Sequence, residues 1–373
     1  MTGERILMVF IEPTTYIVDL INELMCYSEN PIDVLFCSLN QTQLWNVSLD
    51  GISCDILPIG RFAAARTLWR KLRSCDYRIL HLSGWGHSHL LLALLLGFVA
   101  RTPVLVETDT PHRRRIAWWK RVIKRLAYPT LFRIPRFFLP GGTRQALNLQ
   151  HYGVPKSRIV IAYMTVDTTA ISAHIDSMTP ARRQQLRDQI GISSEDSVFL
   201  YVGRLEDYKG VGDLIQAFRL LSSSSSPPGR MLLVGDGTMQ VKIEDECRTN
   251  PAIKYLGRLA GADLIDAYAL ADCFVLPSQS ESWGLVVNEA MAAGLPVIVT
   301  DQVGCIDDLV IEGHTGCIVP AQSPPVLAAA MKKFLENPNA RTKMASNVRQ
   351  EIAPWTMVRW ANVIRDAWEE VQR

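Results

Sequence analysis

Short apolar runs alternate with amphipathic stretches of helical period along most of the chain. In its first part, runs rich in Val, Ile, Leu and Phe fall at 5–11, 33–39, 54–59, 77–82, 103–107, 136–139 and 158–162. Helical patterns lie between them, as at 14–27, 63–73 and 143–152. Continuous apolar strands separated by helices are typical of a parallel sheet covered on both faces. Residues 1–165 are therefore predicted to form a Rossmann-like domain with a doubly wound parallel sheet.

The same alternation restarts after a polar stretch. Residues 166–196 are mostly polar and are predicted to be a linker region. Apolar runs then recur at 198–202, 231–234, 253–256, 273–276, 297–299 and 317–319. They predict a second Rossmann-like domain over 197–352, and residues 353–373 are predicted to form a C-terminal helix.

Composition supports a folded protein and adds little about its ligand. The 373 residues are 48% apolar and 20% charged, with a net charge of +2, so no general attraction to polyanions follows. The eight cysteines show no CxxC spacing, and several lie in apolar runs, where we expect small buried hydrophobes in a reducing compartment. The longest apolar run, 90–100, is too short to span a bilayer, and the chain enters a strand at once, so we expect a cytoplasmic protein.

A basic stretch interrupts the first domain. Residues 113–136 hold nine Lys or Arg and no Asp or Glu, and the predicted helix there places Ile116, Trp119, Ile123 and Leu126 on one face. A basic amphipathic helix with tryptophans is typical of a helix that lies on an anionic membrane surface. A helix packed in the core with its basic side toward water is the alternative, and nothing elsewhere supports nucleic acid. The candidate membrane-binding residues are Arg113, Arg114, Arg115, Trp118, Trp119, Lys120, Arg121, Lys124 and Arg125.

Residues 277–299 predict a strand–loop–helix–strand unit in the second domain. Glu281 lies in the loop, Gly284 begins the helix, and Glu289 lies one turn further, on the face of Leu285. Free amides at the start of a helix bind phosphate well, and carboxylates accept hydrogen bonds from sugar hydroxyls. An ordinary helix with two solvated glutamates is the alternative.

Polar groups and glycines also follow the other strands of this domain. Gly203 and Arg204 follow one strand, with Lys209 in the same loop, and Gly235 and Gly257 end two more; Arg258 follows Gly257. The carboxyl ends of parallel strands lie at one edge of a sheet, where open α/β sheets bind ligands. Together these groups predict a site for a nucleotide diphosphate-sugar.

These motifs, in this order and spacing, resemble glycosyltransferase family 4, retaining enzymes with the two-Rossmann GT-B architecture. The resemblance is strong over about 200–350 and covers the first domain only in outline. It implies two domains that face a central cleft and a C-terminal helix that crosses back to the first domain. It further implies that Arg204, Lys209 and Glu281 are catalytic. The implied donor-binding residues are Gly203, Gly235, Gly257, Arg258, Ser282, Trp283, Gly284, Leu285 and Glu289.

The first domain departs from the pattern of this family. The loop 12–16 lacks a glycine pair that many members have, and Ser83 stands where many have a second histidine after His81. His87, Asp109 and His112 are candidate acceptor-binding residues near predicted strand ends, although for each histidine taken singly a structural role is favoured. No carboxylate cluster of the DxD kind ends a strand, so we expect transfer without a metal or other cofactor.

We therefore expect a retaining, metal-independent hexosyltransferase that uses a nucleotide-sugar and a lipid-linked or glycan acceptor. It would work on the inner face of the cell membrane in cell-surface polysaccharide or glycolipid biosynthesis. A non-catalytic glycosyltransferase-like subunit that scaffolds a membrane complex is the alternative. An oxidoreductase is excluded because no GxGxxG follows any predicted strand.

Overall fold

The chain folds into two compact units, each built on one parallel sheet. The computed structural model describes residues 5–39, 47–74, 77–111, 118–222 and 229–371. The first unit comprises Met1–Val166 with Met357–Arg373, and the second comprises Asp167–Thr356. Each unit holds a six-stranded sheet flanked by helices. Two doubly wound parallel sheets are the fold class predicted from the alternating pattern, which is confirmed.

The first unit has its strands in the order β3-β2-β1-β4-β5-β6. The strands are β1 Arg5–Phe10, β2 Ile32–Phe36, β3 Cys54–Ile56, β4 Tyr77–Leu82, β5 Val104–Thr108 and β6 Phe137–Pro140. The helices are α1 Thr15–Tyr27, α2 Arg61–Ser74, α3 Ser88–Ala100, α4 Trp118–Leu131 and α5 Thr143–His151. The strand order reverses between β1 and β4, so the carboxyl ends of these strands flank the switch point of the sheet.

The second unit has the strand order β12-β11-β10-β7-β8-β9. Its strands are β7 Val198–Val202, β8 Arg230–Val234, β9 Ile253–Tyr255, β10 Cys273–Leu276, β11 Val297–Thr300 and β12 Gly316–Val319. Its helices are α6 Thr168–Ser177, α7 Pro180–Gln189, α8 Val211–Ser222, α9 Gln240–Thr249, α10 Gly261–Leu270, α11 Leu285–Ala292, α12 Ile306–Leu309, α13 Pro324–Glu336 and α14 Pro338–Ile352. A last helix, α15 Met357–Glu370, belongs to the first unit.

The sheet of the first unit separates two apolar cores. Ile6, Met8 and Phe10 face one core with α1 and α15, whereas Leu7 and Val9 face the other with α2, α3 and α4. This division follows from the period of two along a strand, which sends alternate side chains to opposite faces.

Two consecutive buried hydrogen bonds connect α15 to this sheet. The indole Nε1 of Trp368 donates to Nδ1 of His81 over 3.0 Å, and His81 is fully buried on β4. Because Nδ1 accepts, Nε2 carries the hydrogen and donates to Glu107 over 2.7 Å. His81 is therefore a satisfied structural histidine.

Two stretches differ from the sequence-based prediction. Residues 166–196, predicted as a linker, contain α6 and α7, because their polar side chains are used inside the unit: Arg187 is 3% exposed and donates to Leu270 O and to Asp272. The predicted strand 158–162 is instead a 3-10 turn, Lys156–Arg158, followed by one parallel bridge from Ile159 to Phe138. The backbone amides of residues 160 and 162 donate to carbonyl oxygens of β6, which lies on one side of this segment.

The helices of the described part of the chain are all too short or too polar to cross a bilayer. The most apolar of them, α3, has 13 residues, fewer than the about 20 that a span requires.

Candidate active site

Glycines bring three strand ends of the second unit into backbone contact. The amide of Gly203 donates to Val234 O over 3.1 Å, and that of Gly235 donates to Gly257 O over 2.8 Å. A Cβ on Gly235 would lie 1.9 Å from the carbonyl oxygen of Gly203, far inside van der Waals contact. The loops after β7, β8 and β9 therefore pack together at one edge of the sheet. At Gly235 only glycine leaves room for this close approach.

A second close approach joins the loop after β7 to the loop after β10. Gly210 has φ +71°, and a Cβ there would lie 2.1 Å from Pro277 O. The amide of Gln279 also donates to Tyr208 O over 2.8 Å. These contacts fix the 3-10 turn Asp207–Lys209 against the loop that carries Glu281.

Lys209 and Glu281 form an ion pair at this junction. The Lys209 ammonium donates to Oε2 of Glu281, and the two side chains are 14% and 15% exposed. Ser278 Oγ lies 3.4 Å from the same carboxylate oxygen. Two residues predicted as catalytic, 72 positions apart in the sequence, are thus brought into direct contact.

Arg204 lies on the exposed side of the same loop, against Tyr208. Its guanidinium donates to the Tyr208 hydroxyl and lies 5.5 Å from the ring centroid, and the Lys209 ammonium lies 5.5 Å from the same ring. Tyr208 therefore positions both cations, since an aromatic face attracts positive charge. Sequence reasoning missed Tyr208, although an aromatic residue between two candidate cations was a usable signal.

The loop and the start of α11 supply backbone groups beside Glu281. Gly284 precedes α11 with φ +101°, and a Cβ there would lie 3.4 Å from Cγ of Glu281. Leu285 is the first residue of the helix, and amides in a first turn lack partners within their own helix. Ser282 is half-buried and adjoins this turn.

Trp283 is a core residue by its side chain. It is 2% exposed, its Nε1 donates to Asn288 Oδ1 over 2.9 Å, and its ring centroid lies 5.8 Å from that of Trp355. Trp283 can therefore offer a ligand only its backbone, and its indole positions the loop. Sequence reasoning did not separate this structural role from donor contact.

Glu289 lies on α11 and is held by a buried tyrosine that the sequence analysis missed. The Tyr268 hydroxyl donates to Oε2 of Glu289 over 2.6 Å. Burial raises the pKa of Glu289 to about 7, against the hydrogen bond from Tyr268, which lowers it. A carboxyl group that titrates near neutral pH is frequent at functional sites.

Arg258 is half-exposed after β9 and faces Asp236 in the loop after β8. Its Nη1 lies 3.6 Å from Asp236 Oδ2, so the ion pair is solvated and readily rearranged. Arg258 is placed at the glycine edge, as expected from its position after Gly257.

The acceptor candidates lie at the carboxyl edge of the other sheet. His87 is half-buried and immediately precedes α3. Asp109 follows β5 and is exposed, and its carbonyl oxygen lies 3.4 Å from Nε2 of Gln145. His112 lies outside the described residues, as do Arg113, Arg114 and Arg115.

Helix α4 exposes much of its apolar surface. Trp118 is 75% exposed, Trp119 49%, Ile123 56% and Leu126 75%. Arg121 and Arg125 are exposed beside them, Lys124 is half-buried with its ammonium 5.7 Å from the Tyr128 ring, and the side chain of Lys120 lies outside the description. The end of the helix is packed, through contacts such as that of Tyr128 with Trp85 at 6.0 Å between ring centroids.

Comparison with known proteins shows that this chain is similar to glycosyltransferases. Residues 182–351 match the model of the family "Glycosyl transferases group 1". A D-inositol 3-phosphate glycosyltransferase of Corynebacterium diphtheriae is 29% identical over 331 residues, which are 84% of this chain and 75% of the relative. The glycogen synthase of Mycobacterium tuberculosis is 38% identical over 156 residues, 41% of this chain but 37% of the relative, so this chain spans well under two thirds of that protein.

Solved structures share the fold of the whole chain. The structure of Anabaena Alr3699/HepE in complex with UDP has a TM-score of 0.79 at 18% identity and covers 98% of this chain and 100% of its own. The same protein in complex with UDP-glucose has a TM-score of 0.78 at 19% identity over 98% of this chain and 99% of its own. The GT-B fold is thereby confirmed, and so is the resemblance to group 1 glycosyltransferases, whose family model matches residues 182–351 of this chain.

Proposed function

We propose that this chain transfers a hexose, with retention of anomeric configuration and without a metal, from a nucleotide diphosphate-sugar to a membrane-proximal acceptor. The observation that carries the proposal is the Lys209–Glu281 pair beside the glycine-lined strand ends and the start of α11. One ligand with a diphosphate and sugar hydroxyls uses every group of this set: cations and helix amides for phosphate, carboxylates for hydroxyls.

The chemistry follows from where charge develops. When the bond to the sugar breaks, negative charge builds up on the departing diphosphate. Lys209, Arg204 and the amides at the start of α11 are fixed before the reaction, so they stabilise this charge with little reorganisation. Glu281 would accept hydrogen bonds from the transferred sugar, and Glu289 from the ribose.

The donor proposal is tested by binding and by turnover. We expect a nucleotide-sugar from a panel to raise the melting temperature, and uridine donors are the first choice because the related fold of Alr3699/HepE was solved with UDP and with UDP-glucose. Lys209→Ala should lower donor hydrolysis or transfer by about 10²–10³-fold, the usual loss for one fixed donor to a developing anion. The exposed Lys242 on α9 supplies the matched control, Lys242→Ala, with an unchanged rate.

Two outcomes would contradict parts of this proposal. A Lys209→Ala variant with a normal rate would remove Lys209 from the catalytic set. A wild-type protein that binds a donor but neither hydrolyses nor transfers it, with any acceptor offered, would favour the non-catalytic scaffold instead.

The surface of the first unit supports a membrane-proximal acceptor. Helices α2, α3 and α4 pack on the same face of the sheet, through residues such as Leu68, Leu94 and Leu131. Their outer surfaces together expose large apolar side chains, among them Phe62 at 94% and Phe98 at 62%. Helix α2 also carries five cations and no acid, like the basic stretch around α4. Exposed apolar groups among cations fit an anionic lipid surface.

Vesicle binding tests this part separately. Each cation near an anionic surface contributes about 1 kcal/mol, screened by salt, so three of them should change binding by about 10²-fold. We expect co-sedimentation with anionic but not zwitterionic vesicles, lost in the triple variant with Arg121, Lys124 and Arg125 changed to Gln. A triple Gln variant of Lys242, Lys254 and Lys343, in the second unit, is the control. Wild-type protein that ignores anionic vesicles at low salt would contradict the membrane assignment and leave the donor proposal intact.

A further inference from the structure

Three metal-ligating side chains meet at the carboxyl edge of the first sheet. Cys37 directly follows β2, and His87 and His89 lie at the start of α3, which follows β4. One ligand atom of each lies within 4.8 Å of the others. Among the described residues, this is the one group of three such side chains that is close enough to share an ion. None of the three belongs to the donor site, which lies in the second unit.

The environment of these side chains favours a ligand over a purely structural role. Nδ1 of His87 and Nδ1 of His89 are both buried and lack a hydrogen-bond partner, and the ring centroids are 5.2 Å apart. Cys37 is 7% exposed. A buried polar atom without a partner costs about 1–3 kcal/mol, and two such nitrogens from neighbouring rings double that cost. His81, on the preceding strand, shows the contrast, because both of its nitrogens are bonded.

We propose that Cys37, His87 and His89 bind one zinc ion. A thiolate with two imidazoles is a donor set that zinc prefers, with Zn–S near 2.3 Å and Zn–N near 2.0–2.1 Å. Tetrahedral ligands at those lengths lie about 3.5 Å apart, so separations within 4.8 Å need to close by at most about 1.3 Å, which side-chain rotation allows. Three protein ligands leave a fourth position for water or another small ligand.

Zinc binding at this edge is coupled to loss of a proton. A thiol ligates zinc as the thiolate, so binding would release the Cys37 proton to solvent. The positive end of α3 opposes a cation, but the thiolate adjoining it supplies the compensating negative charge. The bound ion would tie the end of β2 to the start of α3 across β1, and His87 would then be a metal ligand rather than an acceptor contact.

Cobalt provides a direct test, since it occupies zinc sites and reports a bound thiolate by its charge-transfer absorption. The untagged, reduced, metal-stripped full-length protein is titrated with Co²⁺ and then with Zn²⁺. We expect one Co²⁺ per chain with thiolate-to-cobalt absorption, displaced by one Zn²⁺. Cys37→Ser should abolish this absorption and weaken zinc binding by more than about 100-fold, because loss of an outer-shell partner alone costs about 10–100-fold. His87→Ala and His89→Ala should weaken it similarly.

Controls separate this site from other thiols and imidazoles. Cys26→Ser and His151→Gln change an exposed cysteine and an exposed histidine of the same unit and should leave the titration unchanged. X-ray absorption of zinc-loaded wild-type protein needs no variant and should show one sulfur neighbour at about 2.3 Å. No stoichiometric binding, a spectrum without sulfur, or an unaltered spectrum in Cys37→Ser would each overturn the proposal. Because no donor is present, these results are independent of the proposed transferase activity.

Discussion

The ionisation of Glu289 should control donor affinity in the neutral pH range. Burial raises its pKa to about 7, although Tyr268 donates to the carboxylate. In the proposed site the ribose hydroxyls donate to the remaining acceptor positions of this carboxylate. Protonation converts one oxygen into a donor and removes part of that capacity. Donor affinity should therefore rise with pH until Glu289 is ionised.

The size of the effect follows from the pKa. With a value of about 7, roughly 3% of Glu289 is ionised at pH 5.5 and roughly 90% at pH 8. If only the ionised form binds well, the apparent Kd scales inversely with that fraction and falls by about 30-fold between the two pH values. This change corresponds to about 2 kcal/mol of binding free energy.

Calorimetric titration with a nucleotide-sugar measures this change. An intact nucleotide-sugar is needed because the terminal phosphate of a free nucleotide itself titrates near pH 6. Glu289→Gln cannot ionise and should bind weakly, with one affinity at both pH values. If wild type and Glu289→Gln change in parallel with pH, another group is responsible and the ribose role of Glu289 is wrong.

The same ionisation affects the stability of the protein without a donor. The folded pKa of about 7 lies above the ordinary value of 4.5, so between these pH values the folded state binds the proton more tightly than the unfolded state. Stability should therefore fall as pH rises from 4.5 to 7 and then level off, by at most about 3 kcal/mol. Glu289→Gln should lack this decrease in thermal unfolding at pH 5 and pH 8, and an equal decrease in both proteins would contradict the stated pKa.

Further predictions concern residues that stabilise the fold or position the proposed donor-binding groups. Gly235→Ala places a Cβ 1.9 Å from Gly203 O and should lower both the melting temperature and donor binding, whereas Ala at the open Gly313 should affect only the melting temperature, through its φ of +72°. Tyr208→Leu should raise the donor KM several-fold by releasing Arg204 and Lys209, while Tyr208→Phe, which keeps the ring, should retain most binding. Trp368→Phe leaves Nδ1 of His81 without a donor and should cost about 1–3 kcal/mol in unfolding measurements.

The proposed donor site of the second unit could be predicted because most of its residues directly follow predicted strands. A parallel sheet brings its carboxyl strand ends to one edge, so Gly203, Gly235 and Lys209 can be assigned to that edge from strand positions alone. Glycine is needed where backbones touch, as at Gly235, and a glycine directly after a predicted strand can be recognised in the sequence. The contact of Lys209 with Glu281 depends on the adjacency of β7 and β10, which the structure shows and the alternating pattern leaves open, because that pattern gives no strand order.

Partners supplied by distant packing could not be predicted. Tyr268 on α10 donates a hydrogen bond to Glu289, and Asn288 on α11 accepts one from Trp283. Neither Tyr268 nor Asn288 belongs to a strand-end pattern. The polarity of 166–196 was misleading for the same reason: in the sequence Arg187 looks solvent-exposed, and its partner Asp272, just before β10, is 85 positions away.

The histidines of the first unit show most clearly what the three-dimensional structure adds. In the sequence, His81, His87 and His89 are alike: each lies at or just after the end of β4, and each could be structural or functional. Their hydrogen bonds separate them, because Trp368, 287 positions away, and Glu107 satisfy His81, whereas Nδ1 of His87 and Nδ1 of His89 remain buried without a partner. Burial of an unsatisfied nitrogen persists only where something else offsets its cost. That imbalance, together with Cys37, makes the carboxyl edge of this sheet a second site to investigate, in addition to the proposed donor site.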